Sequence, residues 1–130
     1  MYTNTSINDS QTIAAVAGAT ITSGAGKAVK YDGNGKIILC SVAGERAIGI
    51  LPMDTTDSVA SGDRVTVIVK DIVLAVAGAA VAVGAEVQTD ANAKVITAVS
   101  TKYVLGEAVT AAAADGNIIQ VQITESGYKA

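Results

Sequence analysis

The sequence predicts an all-β fold, a small β-barrel or sandwich built from an internal pseudo-repeat, with an extended N-terminal arm. Three observations carry that reading. Over residues 64–70 the valines fall at Val65, Val67 and Val69 while Arg64, Thr66 and Lys70 take the opposite positions, the period-two pattern of a strand with one buried face. The chain also repeats itself: Ala17-Gly18-Ala19-Thr20-Ile21 and Gly24-Ala25 recur 60 residues later as Ala77-Gly78-Ala79-Ala80-Val81 and Gly84-Ala85. After a two-residue deletion Val29, Asp32, Asn34, Lys36 and Ile38 fall on Val87, Asp90, Asn92, Lys94 and Ile96. Gly49 then meets Gly106, and the run from Val65 meets the run from Ile119. Two copies are fewer than the roughly three a solenoid needs to bury a continuous core, which favours a pseudo-symmetric barrel or sandwich. Third, Asp32-Gly33-Asn34-Gly35 stands between two apolar runs, and Asn-Gly supplies the positive φ angles of a tight hairpin.

Taken in order, residues 1–12 are polar and turn-rich and read as the extended arm; residues 13–130 read as a single β domain, with the copies of the repeat at about 17–69 and 77–123. A strand from Ala28 to Tyr31 precedes the Asn34-Gly35 hairpin, and residues 37–42 return from it. Gly44-Glu45-Arg46 turns the chain into a strand over residues 47–51, which Pro52 ends because it has no backbone donor. Residues 53–62 form a polar loop ahead of the alternating strand at 64–70. The apolar run over residues 72–85 holds no charge, but its 14 residues fall short of the roughly 20 needed to span a bilayer. It divides into a strand over residues 72–76, a turn at Ala77-Gly78-Ala79 and a further strand after Gly84. Asp90-Ala91-Asn92-Ala93 repeats the earlier hairpin without its glycines, and residues 104–109 resemble residues 47–51. Ala111 to Ala114 would form one helical turn by propensity. Ile119, Val121 and Ile123 share one face of a last strand, followed by a polar tail.

Composition limits the function. The 130 residues hold four tyrosines and no Phe or Trp, so a core of Ala and Val gains less per residue than an aromatic one, and oligomerisation would help. Half the residues are hydrophobic and 16% charged, a balance that exposes apolar patches on a lone subunit. A net charge of −3 and nine scattered basic residues argue against nucleic acid as partner. No positive charge precedes the first apolar residues, so no signal peptide is visible and cytoplasmic synthesis is expected.

The residues also argue against an enzyme. There is no histidine, the commonest general base and metal ligand. The lone Cys40, in the apolar run Ile37-Ile38-Leu39-Cys40, reads as a buried small residue. Asp32-Gly33-Asn34-Gly35-Lys36 fails as a calcium loop because Lys36 stands at the third ligand position and Ala43 at the twelfth. Gly24-Ala25-Gly26-Lys27 fails as a phosphate loop because Ile21 replaces the first glycine and Ala28 the metal-binding hydroxyl. No catalytic, cofactor or metal residues are therefore expected.

Gly62-Asp63-Arg64-Val65-Thr66-Val67, Asp71-Ile72-Val73-Leu74-Ala75-Val76-Ala77-Gly78, Ala82-Val83-Gly84-Ala85-Glu86-Val87, Leu105-Gly106-Glu107-Ala108 and the run from Ala114 to Val121 resemble, in their order and spacing, the capsid cement or decoration proteins of tailed phages. The resemblance implies a structural virion protein on the outer surface of an icosahedral phage head. It would stabilise the shell through contacts with the major capsid protein, often as a homotrimer, without cofactor, nucleic acid or membrane. It carries no catalytic residues over. The alternative is a β-domain of a head fibre or adhesin that binds a host-surface glycan, a reading lowered by the scarcity of aromatics. Within the capsid reading, Tyr2, Thr3, Asn4, Thr5, Ser6, Ile7 and Asn8 form an arm outside the repeat, free to add to a sheet edge on the shell.

Overall fold

The computed structural model describes residues 10–129. They form twelve strands: β1 (Thr12–Val16), β2 (Ile21–Thr22), β3 (Ala28–Tyr31), β4 (Ile37–Leu39), β5 (Gly49–Ile50), β6 (Ser58–Val59), β7 (Arg64–Ile68), β8 (Asp71–Val76), β9 (Glu86–Thr89), β10 (Val95–Thr97), β11 (Tyr103–Ala108) and β12 (Ile118–Tyr128). Two five-stranded sheets and a two-stranded ribbon, β2-β6, result, and none closes into a barrel; the all-β fold is sandwich-like.

The internal repeat is visible as one strand order used twice. The first sheet runs β1-β7-β5-β3-β4 and the second β8-β12-β11-β9-β10. Ile13 pairs with Val67 in one and Val73 with Val121 in the other; the sequence match had already equated Val67 with Val121, and the structure extends the likeness to Ile13 and Val73. The strand ends are tied alike: Gly18 N–H donates to Ile37 O and Gly78 N–H to Val95 O, both at 2.8 Å. Each unit thus opens with a strand, β1 or β8, ahead of the matched Ala17 and Ala77.

The burial pattern explains why these segments are strands. In β7 Val65 and Val67 are buried between exposed Arg64 and Thr66, and in β12 Ile119, Val121 and Ile123 are buried between exposed neighbours. The first unit packs Ala17, Ile21, Val29, Ile37, Leu51, Val59, Val65 and Val67 into a core of its own. The second core contains the equivalent Ala77, Val81, Val87, Val95 and Val121, and also takes in Ala28, Cys40, Ala47 and Ile50 from the first unit. Backbone hydrogen bonds cross the same boundary: Ala28 N–H to Ala93 O, Gly44 N–H to Thr89 O, Val76 N–H to Gly26 O and Tyr103 N–H to Gly44 O. The two units therefore interlock.

Four expectations change. The hairpin after Tyr31 is a five-residue loop with Tyr31 opposite Ile37; Gly35 has a positive φ but Asn34 does not, because Asp32 Oδ1 organises the turn by accepting from the N–H groups of Asn34 and Lys36. Ala111 to Ala114 form no helical turn: Ala112 bridges Val81, and Asn117 Oδ1 takes the N–H groups of Ala113 and Ala114. A run of four residues gains too little from helix propensity to outweigh those bonds. The expected polar tail continues β12 as far as Tyr128. Finally, residues 1–9 of the arm lie outside the described residues, while its last residue, Thr12, is already in β1 opposite Ile68, and Gln11 O accepts from Val69 N–H.

Candidate interaction surfaces

Among the described residues no group of three or more His, Cys, Asp or Glu could hold a metal ion, and no helix is long and apolar enough to cross a membrane. Cys40 is 2% exposed at the junction of the two units. Burial, with the nearby Glu45 charge, pushes its thiol up to about 12, so it is held as the unreactive thiol.

The outward face of β8 and β12 is different in kind. Along β8, Val73 and Ala75 point into the core while Ile72 and Leu74 point out, 49% and 44% exposed. On β12, Ile118 is 53% exposed, and Gln120 and Gln122 stand opposite Leu74 and Ile72. Val109, whose N–H donates to Gln120 O, widens the apolar strip. In the first unit Thr12, Ala14 and Arg64 stand where the second has Ile72, Leu74 and Ile118, Thr66 stands for Gln120, and Ile68 stands for Gln122. The exposed apolar side chains Ile72, Leu74 and Ile118 therefore have no apolar counterpart of their size in the first copy. The predicted arm residues Tyr2, Thr3, Asn4, Thr5, Ser6, Ile7 and Asn8 lie outside the described residues, but the chain enters the fold beside this strip: Gln11 Nε2 donates to Ile72 O at 3.3 Å.

A second surface forms where the units meet. The loop over residues 41–46 is fixed by Glu45, whose carboxylate accepts from the N–H groups of Ser41 and Val42 at 2.8 and 2.6 Å and pairs with Lys30. Burial works to raise the Glu45 carboxyl, but the Lys30 hydrogen bond and the two backbone donors outweigh it and hold the group below the usual carboxylate range. This fixed loop presents Arg46. Opposite it, β12 bulges: Gly106 pairs with Ile123 but Val104 pairs with Gly127, which pushes out Thr124, Glu125 and Ser126, with Glu125 at φ 45°. Lys129 ties the end of this extension back through Lys102 O and an ion pair with Glu86 at 2.6 Å.

Between loop and bulge lies a pocket of about 110 Å³ lined by Arg46, Ala47, Tyr103, Val104, Leu105 and Glu125, among others. Tyr103 and Tyr128 form an edge-to-face pair with ring centroids 5.3 Å apart. Partial burial raises the Glu125 carboxyl above its usual range, against the pull of Arg46. Arg46 also belongs to an adjoining pocket of about 490 Å³ with Lys30, Tyr31, Glu45 and Ile48. None of these residues stood out in the sequence as a site. The available signal was that tyrosine is the only aromatic type in the chain.

A family model described as phage cement protein matches residues 5–123. No curated protein matches the chain. Among solved structures, the N base of the head fibre gp8.5 of bacteriophage phi29 is similar, with a TM-score of 0.64 at 18% identity over 92% of this chain and 98% of that one. At that identity the likeness is one of fold.

Proposed function

The chain belongs to the phage cement protein family, and from that premise we propose that it binds the outside of an icosahedral phage head and stabilises the shell, acting as a structural protein rather than an enzyme. Its partners in this reading are the major capsid protein and copies of itself, assembled as a homotrimer. The observation that carries the proposal is the exposed apolar strip: Ile72, Leu74 and Ile118 are about half exposed, and their counterparts in the first unit, Thr12, Ala14 and Arg64, are small or polar. The fold requires that face equally in both copies, so the fold does not demand its apolar residues. Contact with a partner does.

Completing the burial of three such half-exposed side chains contributes roughly 1 kcal/mol each, about 3 kcal/mol in all. That corresponds to roughly a hundredfold in the affinity of one copy. Residues 2–8, rooted beside Ile72, would add a strand to a sheet edge of the capsid protein. Repetition over the shell then converts modest contacts into a firm coat.

Purified protein added to heads that lack it, with bound and free chains separated by sedimentation, tests the idea. Leu74→Asp should weaken occupancy by at least about tenfold, whereas Ala14→Asp, at the equivalent exposed position of β1, should not. Removal of residues 1–8 should weaken binding while leaving unfolding of the free protein unchanged. Normal decoration by Leu74→Asp would place the contact elsewhere.

A further inference from the structure

We propose that the cleft running from Tyr31 across Arg46 to Tyr103 and Tyr128 binds a neutral carbohydrate. The chain has four tyrosines and no other aromatic residue. The three in the described part lie along two adjoining pockets that share Arg46, two as lining residues and Tyr128 packed on Tyr103. They are 52%, 40% and 59% exposed. Apart from the edge-to-face contact of Tyr103 with Tyr128, these rings stand open to solvent, and their apolar faces suit the C–H faces of pyranose rings.

The charged groups select the class of ligand. Lys30 and Glu45 neutralise each other on one side. On the other, Arg46 and Glu125 line one pocket without forming an ion pair. The guanidinium only donates hydrogen bonds and the carboxylate only accepts them. A pair of neighbouring sugar hydroxyls does both and satisfies the two at once. An anionic ligand meets Glu125, a cationic one meets Arg46, and a nucleic acid lacks the clustered positive charge that phosphates require.

At the Tyr103 end, Glu125, Gly127 and Tyr128 lie beyond the repeat. The first unit has no counterpart of the bulge and extension over residues 124–129, and the family match stops at residue 123. The pocket here, of about 110 Å³, is below the roughly 300–1,000 Å³ of a drug-sized site, which predicts weak binding per copy. Many copies on one particle would turn this into firm adhesion to a surface displaying the sugar.

The test is an amide-shift titration of the isotope-labelled full chain with maltotriose, chitotriose, N-acetylneuraminic acid and the peptide Gly-Ala-Gly. One of the two neutral trisaccharides should move the amides of Tyr31, Arg46, Val104 and Glu125 with an affinity near about 1 mM. Tyr31→Ala and Tyr128→Ala should each weaken it by about tenfold. Both variants should still decorate heads, which separates failure here from failure of the capsid reading. Decorated heads should then be retained on beads carrying that trisaccharide, and heads decorated with Tyr31→Ala should not; passage of both would overturn a role in surface adhesion. No shift at the cleft with either neutral sugar up to about 50 mM, far above the expected affinity, would overturn the proposal, as would stronger binding of the acidic sugar or the peptide.

Discussion

The two hairpin loops offer an experiment with its own control. Residues 32–36 and 90–94 are the same device: Asp32 and Asp90 accept from the N–H groups two and four residues on, at 2.7 and 3.2 Å and at 2.8 and 2.9 Å. The fourth residue is left-handed in both, Gly35 at φ 80° and Ala93 at φ 64°. A Cβ at Gly35 would meet nothing within 4 Å, so Gly35→Ala changes the backbone energy alone. The left-handed region costs an L-residue roughly 1–2 kcal/mol, so a loss of about 1 kcal/mol is expected. Ala93→Gly releases the same strain but removes a methyl that is fully buried. That methyl is worth about 0.8 kcal/mol, and the added freedom of the unfolded chain costs about 0.4–1 kcal/mol more. The terms nearly cancel, and Ala93→Gly should lie within about 0.5 kcal/mol of the parent. Equilibrium urea unfolding of both variants, followed by circular dichroism, measures the difference. A neutral Gly35→Ala, or an Ala93→Gly that costs more than about 2 kcal/mol, would refute the shared-strain account.

Three further outcomes follow from single positions. A Cβ on Gly106 would lie 2.1 Å from Gln122 O and 3.1 Å from Ile123 Cα, backbone that cannot yield, so Gly106→Ala should part β11 from β12 and cost at least about 3 kcal/mol in the same unfolding assay. Because the folded Glu45 carboxyl titrates below its unfolded value, its stabilisation is present above the ordinary carboxylate range and is lost as pH falls through the folded value. Urea midpoints measured from neutral to acid pH should therefore fall less steeply for Glu45→Gln than for the parent. With its thiol raised to about 12, Cys40 carries roughly one thiolate in ten thousand at about pH 8, so iodoacetamide should label it only on unfolding; rapid labelling of the folded chain would contradict its buried place.

The sequence discloses what local physics determines alone. β7 and β12 were legible because one face of each is buried, which forces alternation at Val65, Val67, Ile119, Val121 and Ile123. Alternation reports a buried face but not whether the sheet closes, so barrel and sandwich stayed equal until the strand order distinguished them. The tetra-alanine run misled because propensity counts for little against a strand bridge to Val81. β12 looked finished at Ile123 because Glu125-Ser126-Gly127 are turn formers, and a bulge absorbs them without ending the strand. The cleft was illegible for another reason. Tyr31 and Arg46 belong to one unit and Tyr103 and Tyr128 to the other, and they become neighbours only because Gly44 bonds to Thr89 and Tyr103 across the junction.

Duplication sharpens the separation of fold from function. Where both copies need a residue for the same structural reason, they keep it: Gly18 and Gly78 each leave room for an aspartate carboxylate, Asp32 or Asp90, and Gly49 and Gly106 each face the backbone of a neighbouring strand. Exposed equivalent positions carry no such constraint, so random drift would scatter their differences without direction. Here three of them cluster on one strip. Thr12, Ala14 and Arg64 correspond to Ile72, Leu74 and Ile118, three exchanges that expose apolar side chains at the expense of solubility, while Ile68 gives way to Gln122. The extension that supplies Glu125 and Tyr128 to the tyrosine cleft is also attached to the second unit alone. In the readings proposed above, the second copy, which shares the interior but carries the exposed apolar strip, would hold most of the partner contacts, and the first copy supplies the loop that brings Arg46 to the pocket beside Tyr103.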